Sequence, residues 1–281
     1  MIKRIPIITV MLLGLSAPGS TQLNCIIYTD SACYKACLLY NQGGNFPQGS
    51  RRSQQLRDSA VQLCPTMAYA WRELSVPYLK RGDLRTWRTY IDKAVALKPE
   101  DYLHIRGWCR FKFVKDYEGA LEDLHRADSL PHYILLRSGD GYWNIYTMMA
   151  LCYRELGKYK EALYYFNKGI DSVITQYGYE QTGMFDYLYR GVLKLKMKDY
   201  AGALADFDLQ EKRCDNYRET PYYRGLTYLA MGDRPKALQH LSEAARIYKD
   251  GNFFNDPYCE MPDAVYFSDI KQATAEARKL K

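Results

Sequence analysis

The residues of this chain that could bind a metal ion are its eight cysteines and four histidines. No two histidines stand four residues apart, as a helical zinc protease site would require: His104, His125, His132 and His240. Cys33 and Cys37 lie one helical turn apart, and they would need two further ligands to hold a metal. We therefore predict no metal site and interpret these two cysteines as structural.

Other patterns that could support catalysis are weak. The run Ser138-Gly139-Asp140-Gly141 resembles part of a calcium loop, but further acidic ligands at alternate positions are missing, so we predict a flexible turn. No glycine-rich phosphate loop follows a predicted strand, because no strand is predicted. No nucleophile or acid–base arrangement stands out. The sequence therefore predicts a protein that is not an enzyme, has no cofactor and takes no small-molecule substrate.

The N-terminus has the pattern of a secretory signal. A short basic stretch at residues 1–4 precedes an apolar run at residues 5–15, and small residues follow up to Ser20. We predict a signal peptide over residues 1–20, cleaved near Gly19 or Ser20, and export to the periplasm or the extracellular space. A lipoprotein with Cys25 as the lipidated residue is the less favoured alternative, because Gln22 and Asn24 do not fit a lipobox. An uncleaved membrane anchor is the third interpretation of this N-terminus.

Export would place the cysteines in a compartment that permits disulfides. Helices over residues 31–41 and 51–63 would pack as an antiparallel pair and bring Cys64 near the start of the first, with Cys33 or Cys25 as its partner. Cys109 and Cys152 occupy equivalent interior positions and are predicted to be buried thiols. The pairing of Cys214 and Cys259 stays open.

Charge argues against nucleic acid as a partner. The net charge is +7, from 39 basic and 32 acidic residues, but the two signs alternate along the predicted helices. A nucleic-acid-binding protein would instead be expected to gather its basic residues into one stripe.

A pattern of aromatic, small and aliphatic residues recurs about every 34 residues and predicts paired helices. One copy carries Trp71, Tyr78, Gly82 and Ala94, and another carries Gly225, Tyr228, Gly232 and Ala237. This order and spacing resembles the tetratricopeptide repeat (TPR) family. The resemblance covers residues 51–251 and implies an all-α, TPR-type solenoid. We expect a right-handed superhelix of about five helix-turn-helix units and a C-terminal capping helix.

The repeat phase also divides the chain. After the signal peptide, residues 21–67 are predicted to form a degenerate helix pair with the cysteine cluster. Residues 68–251 form the repeat array, with an insertion at residues 132–142. Residues 252–281 form a loop and a capping helix near residues 263–279. Small residues at the helix contacts, such as Gly191 and Gly225, are expected to let neighbouring helices approach closely.

In TPR proteins, defined positions of the first helix of each unit line a concave groove. The resemblance places a set of mostly apolar residues there, which we call the predicted groove residues: Arg72, Val76, Leu79, His104, Trp108, Phe111, Thr147, Leu151, Arg154, Leu188, Val192, Leu195, Tyr222, Leu226 and Leu229. Some family members grip terminal carboxylates of chaperones with an Asn at one of these positions. That position here holds Val76, Trp108, Leu151, Val192 and Leu226, so this clamp is not expected.

An apolar groove favours a protein or peptide partner, such as a helix bound in the groove. Two other interpretations stay open: that these residues are core between neighbouring helices, and that the groove is occupied by the chain's own residues 252–262, with Phe253, Phe254 and Tyr258. The predicted function is a non-catalytic interaction scaffold. The alternatives are a module that binds carbohydrate or another envelope polymer, and an accessory subunit of an enzyme.

Overall fold

A computed structural model describes residues 22–132, 134–214, 216–251 and 256–280. The predicted signal peptide, residues 1–20, and Phe253–Phe254 lie outside these ranges. The described residues form thirteen α-helices and no sheet, and their one extended contact is an isolated bridge between Arg137 and Asn144. Among the helices in these ranges, none combines the length and apolar character needed to cross a membrane.

The helices pack in six consecutive pairs, and the thirteenth covers the last pair. In chain order they are α1 Ser31–Gly43, α2 Arg51–Leu63, α3 Ala68–Lys80, α4 Leu84–Leu97, α5 Pro99–Cys109, α6 Tyr117–Ser129, α7 Ile145–Glu155, α8 Tyr159–Tyr177, α9 Asp186–Lys196, α10 Tyr200–Arg213, α11 Glu219–Ala230, α12 Arg234–Lys249 and α13 Phe267–Lys279. Short 3₁₀ turns lie at Cys25–Ile27 and Tyr179–Gln181. The predicted all-α solenoid is confirmed.

The turn inside each pair follows from its sequence. Gly82 and Gly232 adopt φ of 78°, a left-handed conformation that glycine takes without strain. The next residue, Asp83 or Asp233, caps the second helix with its carboxylate. In the unit formed by α5 and α6, a π-helical turn, Arg110–Val114, follows the first helix.

One disulfide ties the N-terminal segment to α1, and a second ties α1 to the end of α2. They join Cys25 to Cys37 and Cys33 to Cys64. Cys33 is thus the partner of Cys64 among the two possibilities that the sequence left open. Cys33 and Cys37 point to different partners, so neither offers a free thiolate to a metal. Cys109 and Cys152 are buried thiols, as predicted.

The capping helix α13 begins at Phe267, four residues later than the sequence suggests. Asp263 adopts φ of 57°, which a right-handed helix cannot contain. The helix starts instead where the Asp269 carboxylate accepts a hydrogen bond from the backbone N–H of Tyr266, 2.8 Å away.

At one equivalent contact between the two helices of a unit, successive units carry alternately an aromatic pair and an ionic pair. Tyr78 meets Tyr90, Tyr153 stacks on Tyr165, and Tyr228 stacks on His240, with ring centroids 5.6, 5.3 and 5.4 Å apart. In the units between them, the equivalent pairs are ionic: Arg110 with Asp123 at 3.3 Å, and Lys194 with Asp206 at 2.8 Å. One structural position therefore carries two different chemistries in alternate repeats.

Enlarging Gly191 should destabilise the array. A Cβ atom at this position would lie 2.6 Å from Cε1 of Phe207, which is fully buried on the partner helix. We expect Gly191→Leu to lower the free energy of unfolding by about 1–3 kcal/mol or more, because the buried ring has no room to move. Chemical denaturation followed by tryptophan fluorescence measures this. Ala205→Leu, at an exposed site on α10, is the control, and an equal effect of both changes would contradict the packing.

Candidate functional site

An open cleft lies between the first helices of two successive units, α3 and α5. Its volume is about 200 Å³ and its walls are mainly apolar. Four predicted groove residues line it, Arg72, Val76, Leu79 and Trp108, and the other lining residues are Gln48, Ser75, Lys80, Trp87, Ile91, Ile105, Cys109 and Phe113. The repeat phase therefore brings these four residues into one site.

Among the described residues that line the cleft, the charged side chains are Arg72 and Lys80, which are both cationic. The Arg72 guanidinium contacts Glu73 beside the cleft; burial alone would lower the pKa of Arg72, but Glu73 outweighs it and raises this pKa. Lys80 donates to the side-chain oxygen of Gln48 at 2.8 Å. The cleft thus offers apolar walls with a cationic rim.

Trp108 forms part of the floor and is only 9% exposed. Its indole N–H has no hydrogen-bond acceptor within the described part of the chain. The six-membered ring is covered by the insertion, because a Cβ on Gly139 would lie 2.6 Å from Cζ3 of this tryptophan. Phe113 meets the ring edge-on, with centroids 5.5 Å apart. Trp108 is therefore held in place from two sides.

His104 lies close to the cleft as a half-buried, neutral imidazole. Burial lowers its pKa to about 4, Asp101 opposes this shift, and His132 and Arg72 add to it. Within the described residues its Nδ1 atom has no hydrogen-bond partner. Protonation of this ring would place a charge where solvent cannot reach it readily.

This burial predicts an acid sensitivity. The unfolded imidazole titrates near 6.5 and the folded one near 4, so the unfolded state binds more protons between these values. The contribution of the neutral His104 to the free energy of unfolding has its full value above about pH 6.5. It falls as the pH drops towards 4, and the loss at pH 5 is about 2 kcal/mol. Denaturation at pH 7 and pH 5 should show this loss for the parent and a smaller loss for His104→Phe. An unchanged loss in His104→Phe would contradict the assignment.

The next part of the concave face is covered by residues 256–264, which we call the strap. The buried Arg154 donates to Asp263 of the strap at 2.6 Å. Met261 is 6% exposed and packs near Leu188 and Tyr189. The strap thus lies where the sequence predicted a groove for a partner.

Solved structures of repeat proteins are similar to this chain. The Cut9–Hcn1 hetero-tetramer of APC/C matches 86% of it with a TM-score of 0.61 and 14% identity, over 42% of that chain. PilW, described as a widely conserved type IV pilus biogenesis factor, matches 79% of this chain and 96% of its own, with a TM-score of 0.59 and 14% identity.

YrrB, described as a TPR protein with an unusual peptide-binding site, matches 69% of this chain and 93% of its own, with a TM-score of 0.50 and 18% identity. The protein has the TPR fold. It spans less than half of the matched chain in the Cut9–Hcn1 structure. No family model and no curated protein matches the sequence.

Several of the predicted groove residues lie inside the TPR core rather than on its surface. Leu151, Leu188 and Val192 are at most 2% exposed, and Phe111 is equally buried. Thr147 is fully buried and donates its hydroxyl to Asp186 at 3.1 Å. These side chains lie beneath the surface of the concave face. A partner could contact them only if the residues that cover them moved.

At the C-terminal end of the TPR array, the predicted groove is covered by the capping helix. Tyr222, Leu226 and Leu229 pack against a cluster that includes Ala273 and Ala277 of α13. Leu195 remains half-buried. Most of the predicted groove residues thus fall into three places: the open cleft, the part under the strap and the part under α13.

Sequence reasoning missed the acidic residues that close the groove. The turn at residues 138–141 is anchored, because its Asp140 pairs with Lys112 at 2.8 Å and also accepts from the Ser138 hydroxyl at 2.6 Å. Asp256 reaches the same Lys112 ammonium at 2.7 Å. The sequence feature that could have indicated these acidic partners is Lys112, a charged residue within the otherwise apolar run Phe111 to Val114.

Proposed function

We propose that this protein is an exported, non-catalytic scaffold that binds a partner protein or peptide in the cleft between α3 and α5. The observation that carries the proposal is the cleft itself, an apolar concavity on the concave face that no other part of the described chain fills. Sites of this kind suit an apolar helix or an extended segment. Its cationic rim favours a partner with an acidic group beside its apolar anchor.

Other features support this proposal. The TPR fold is shared with YrrB, described as having an unusual peptide-binding site, and with PilW, described as a type IV pilus biogenesis factor. Two disulfides in the N-terminal region fit an oxidising compartment, which agrees with the signal-like residues 1–20. Catalysis at the cleft would need a nucleophile with its base, or an acid–base pair. The described residues that line the cleft do not form such an arrangement.

The sharpest test places a charge in the cleft. Val76 is partly exposed there, so Val76→Glu can keep the fold while an approaching apolar partner would have to desolvate the carboxylate. We expect at least a tenfold weaker capture of the partner from an envelope fraction. Ile174→Glu, at a 37% exposed position on α8, is the control and should capture as the parent does. Circular dichroism checks that both variants stay helical.

The result that contradicts the proposal is an unchanged capture by Val76→Glu with unchanged helicity. The binding surface would then lie elsewhere, and the insertion at residues 132–142 would be examined first. Trp108 and Leu151 are poorer positions for such a charge, because they are 9% and 0% exposed and a charge there would disturb the core. Co-sedimentation with insoluble envelope polymer, unaffected by Val76→Glu, would favour the polymer-binding alternative.

A further inference from the structure

The strap, residues 256–264, is held on the concave face as a bound peptide would be. It contains no helix and no strand. Two buried cations of the TPR array bind its two ends, because Lys112 contacts Asp256 at 2.7 Å and Arg154 contacts Asp263 at 2.6 Å. Each cation is only 2% exposed. The strap is therefore fixed by side-chain recognition and not by regular secondary structure.

The Lys112 end is a closed site. Its ammonium is shared between Asp256 of the strap and Asp140 of the insertion, at 2.7 and 2.8 Å. Rings surround it, with the centroids of Trp108, Phe113 and Trp143 between 5.2 and 5.6 Å from Nζ. Burial would lower the pKa of this amine, but the hydrogen bonds to Asp140 and Asp256 raise it, so it stays charged. The site selects a carboxylate for electrostatic reasons.

The middle of the strap is anchored by an apolar side chain. Met261 is 6% exposed and shares a small space with Phe185, Leu188 and Tyr189. Methionine fits irregular apolar spaces well because its side chain is unbranched and polarisable.

The Arg154 end holds a strained residue. Asp263 adopts φ of 57°, a conformation that costs free energy outside glycine and persists where the surroundings enforce it. Arg154 enforces it here, and the Asp263 carbonyl also accepts a hydrogen bond from the Tyr223 hydroxyl at 3.4 Å. A hollow of about 310 Å³ beside this end, lined by Lys115, Tyr117 and Glu155 among others, leaves room for a larger occupant than the strap.

We propose that this stretch of the concave face is a second binding site, which the strap occupies in cis. In trans, the site binds a partner segment that has two carboxylates seven residues apart and a Met-like side chain between them. The strap supplies the template for that ligand, since Asp256, Met261 and Asp263 fill the three contacts. A partner gains access by competing with the strap. This proposal does not depend on the cleft between α3 and α5.

Weakening the strap should open the site. In Asp256→Asn/Asp263→Asn the cations keep Asp140 and Glu155 as partners, so neither charge is left alone. The probe is a fluorescent peptide copying residues 256–265 with Cys259→Ser. We expect the double variant to bind it at least tenfold more tightly than the parent, by anisotropy. Asp171→Asn/Asp250→Asn removes the same charge at exposed positions and should behave as the parent does.

The peptide itself tests the ligand chemistry. A copy with Asp256→Asn and Asp263→Asn should bind the double variant at least tenfold more weakly, and so should a copy with Met261→Ser. Hydrogen exchange should show faster exchange at residues 257–264 of the variant, and added peptide should leave that exchange fast. If the double variant loses its fold, Asp256→Asn alone, with Lys112 still paired to Asp140, should give the same changes to a smaller extent.

Three results would overturn the proposal. One is equal binding of the peptide to parent, double variant and charge control. Another is unchanged exchange in the strap of a folded double variant, which would mean that the two ion pairs do not hold it. The third is a concentration-dependent dimer of the parent chain with exchanged straps, which would make a second copy of this chain the occupant instead of another partner.

Discussion

Replacing Asp206 with alanine is expected to lower the free energy of unfolding by about 3–5 kcal/mol. Its carboxylate is 2% exposed and holds two cations from the facing helix, Arg190 at 2.6 Å and Lys194 at 2.8 Å. Without Asp206, both cations would stay largely buried and lose their main partner. Denaturation followed by tryptophan fluorescence measures the loss. Asp208→Ala on the same helix, whose carboxylate is 66% exposed, should cost about 0.5 kcal/mol.

The neighbouring unit suggests how to recover this loss. There, Met149, Tyr153 and Tyr165 occupy the positions of Arg190, Lys194 and Asp206, and the two tyrosine rings stack at 5.3 Å. The triple change Arg190→Met/Lys194→Tyr/Asp206→Tyr should therefore restore most of the stability, because apolar groups can replace a buried ion network at little cost. If the triple variant is no more stable than Asp206→Ala, the two kinds of pair are not interchangeable.

Removing the disulfide between Cys33 and Cys64 is the second large effect. The bond closes a loop with a sequence separation of 31 residues. Loss of that constraint on the unfolded chain corresponds to about 3–4 kcal/mol. We expect Cys33→Ala/Cys64→Ala to show this loss in denaturation experiments. The first helix pair should also become more susceptible to proteolysis, because the remaining bridge joins only Cys25 to Cys37.

The control for this prediction is a reducing agent. Reduction should destabilise the parent by more than it destabilises Cys33→Ala/Cys64→Ala, since the variant has one disulfide fewer to lose. Cys109→Ala, at a buried thiol outside both disulfides, should keep the full response to reduction. Equal responses of parent and double variant would show that this bond does not contribute to the stability.

The sequence was sufficient for the helices because their signals are local. Small residues, aromatic residues and the Gly-Asp turns recur at a fixed spacing, and each helix pair packs mainly on its neighbours in sequence. The same signals predicted a close helix contact at Gly191, and the structure packs this glycine against Phe207.

The predicted groove was only partly informative. The spacing correctly brought Arg72, Val76, Leu79 and Trp108 to one cleft, because helices of equal length and phase repeat the same geometry. It could not show that Leu151 and Leu188 are covered. Leu151 and Leu188 each line a hollow together with residues of the strap, which does not belong to the repeat pattern.

By itself, then, the sequence determined that the chain is a stack of paired helices and which small side chains allow the pairs to touch. Only the tertiary structure decided what covers the predicted groove residues. The contact between Lys112 and Asp256 joins residues 144 positions apart, and no periodic signal marks either of them as a partner of the other. Contacts within a repeat are fixed by spacing, whereas a pairing over this separation depends on where the whole solenoid brings its last segment.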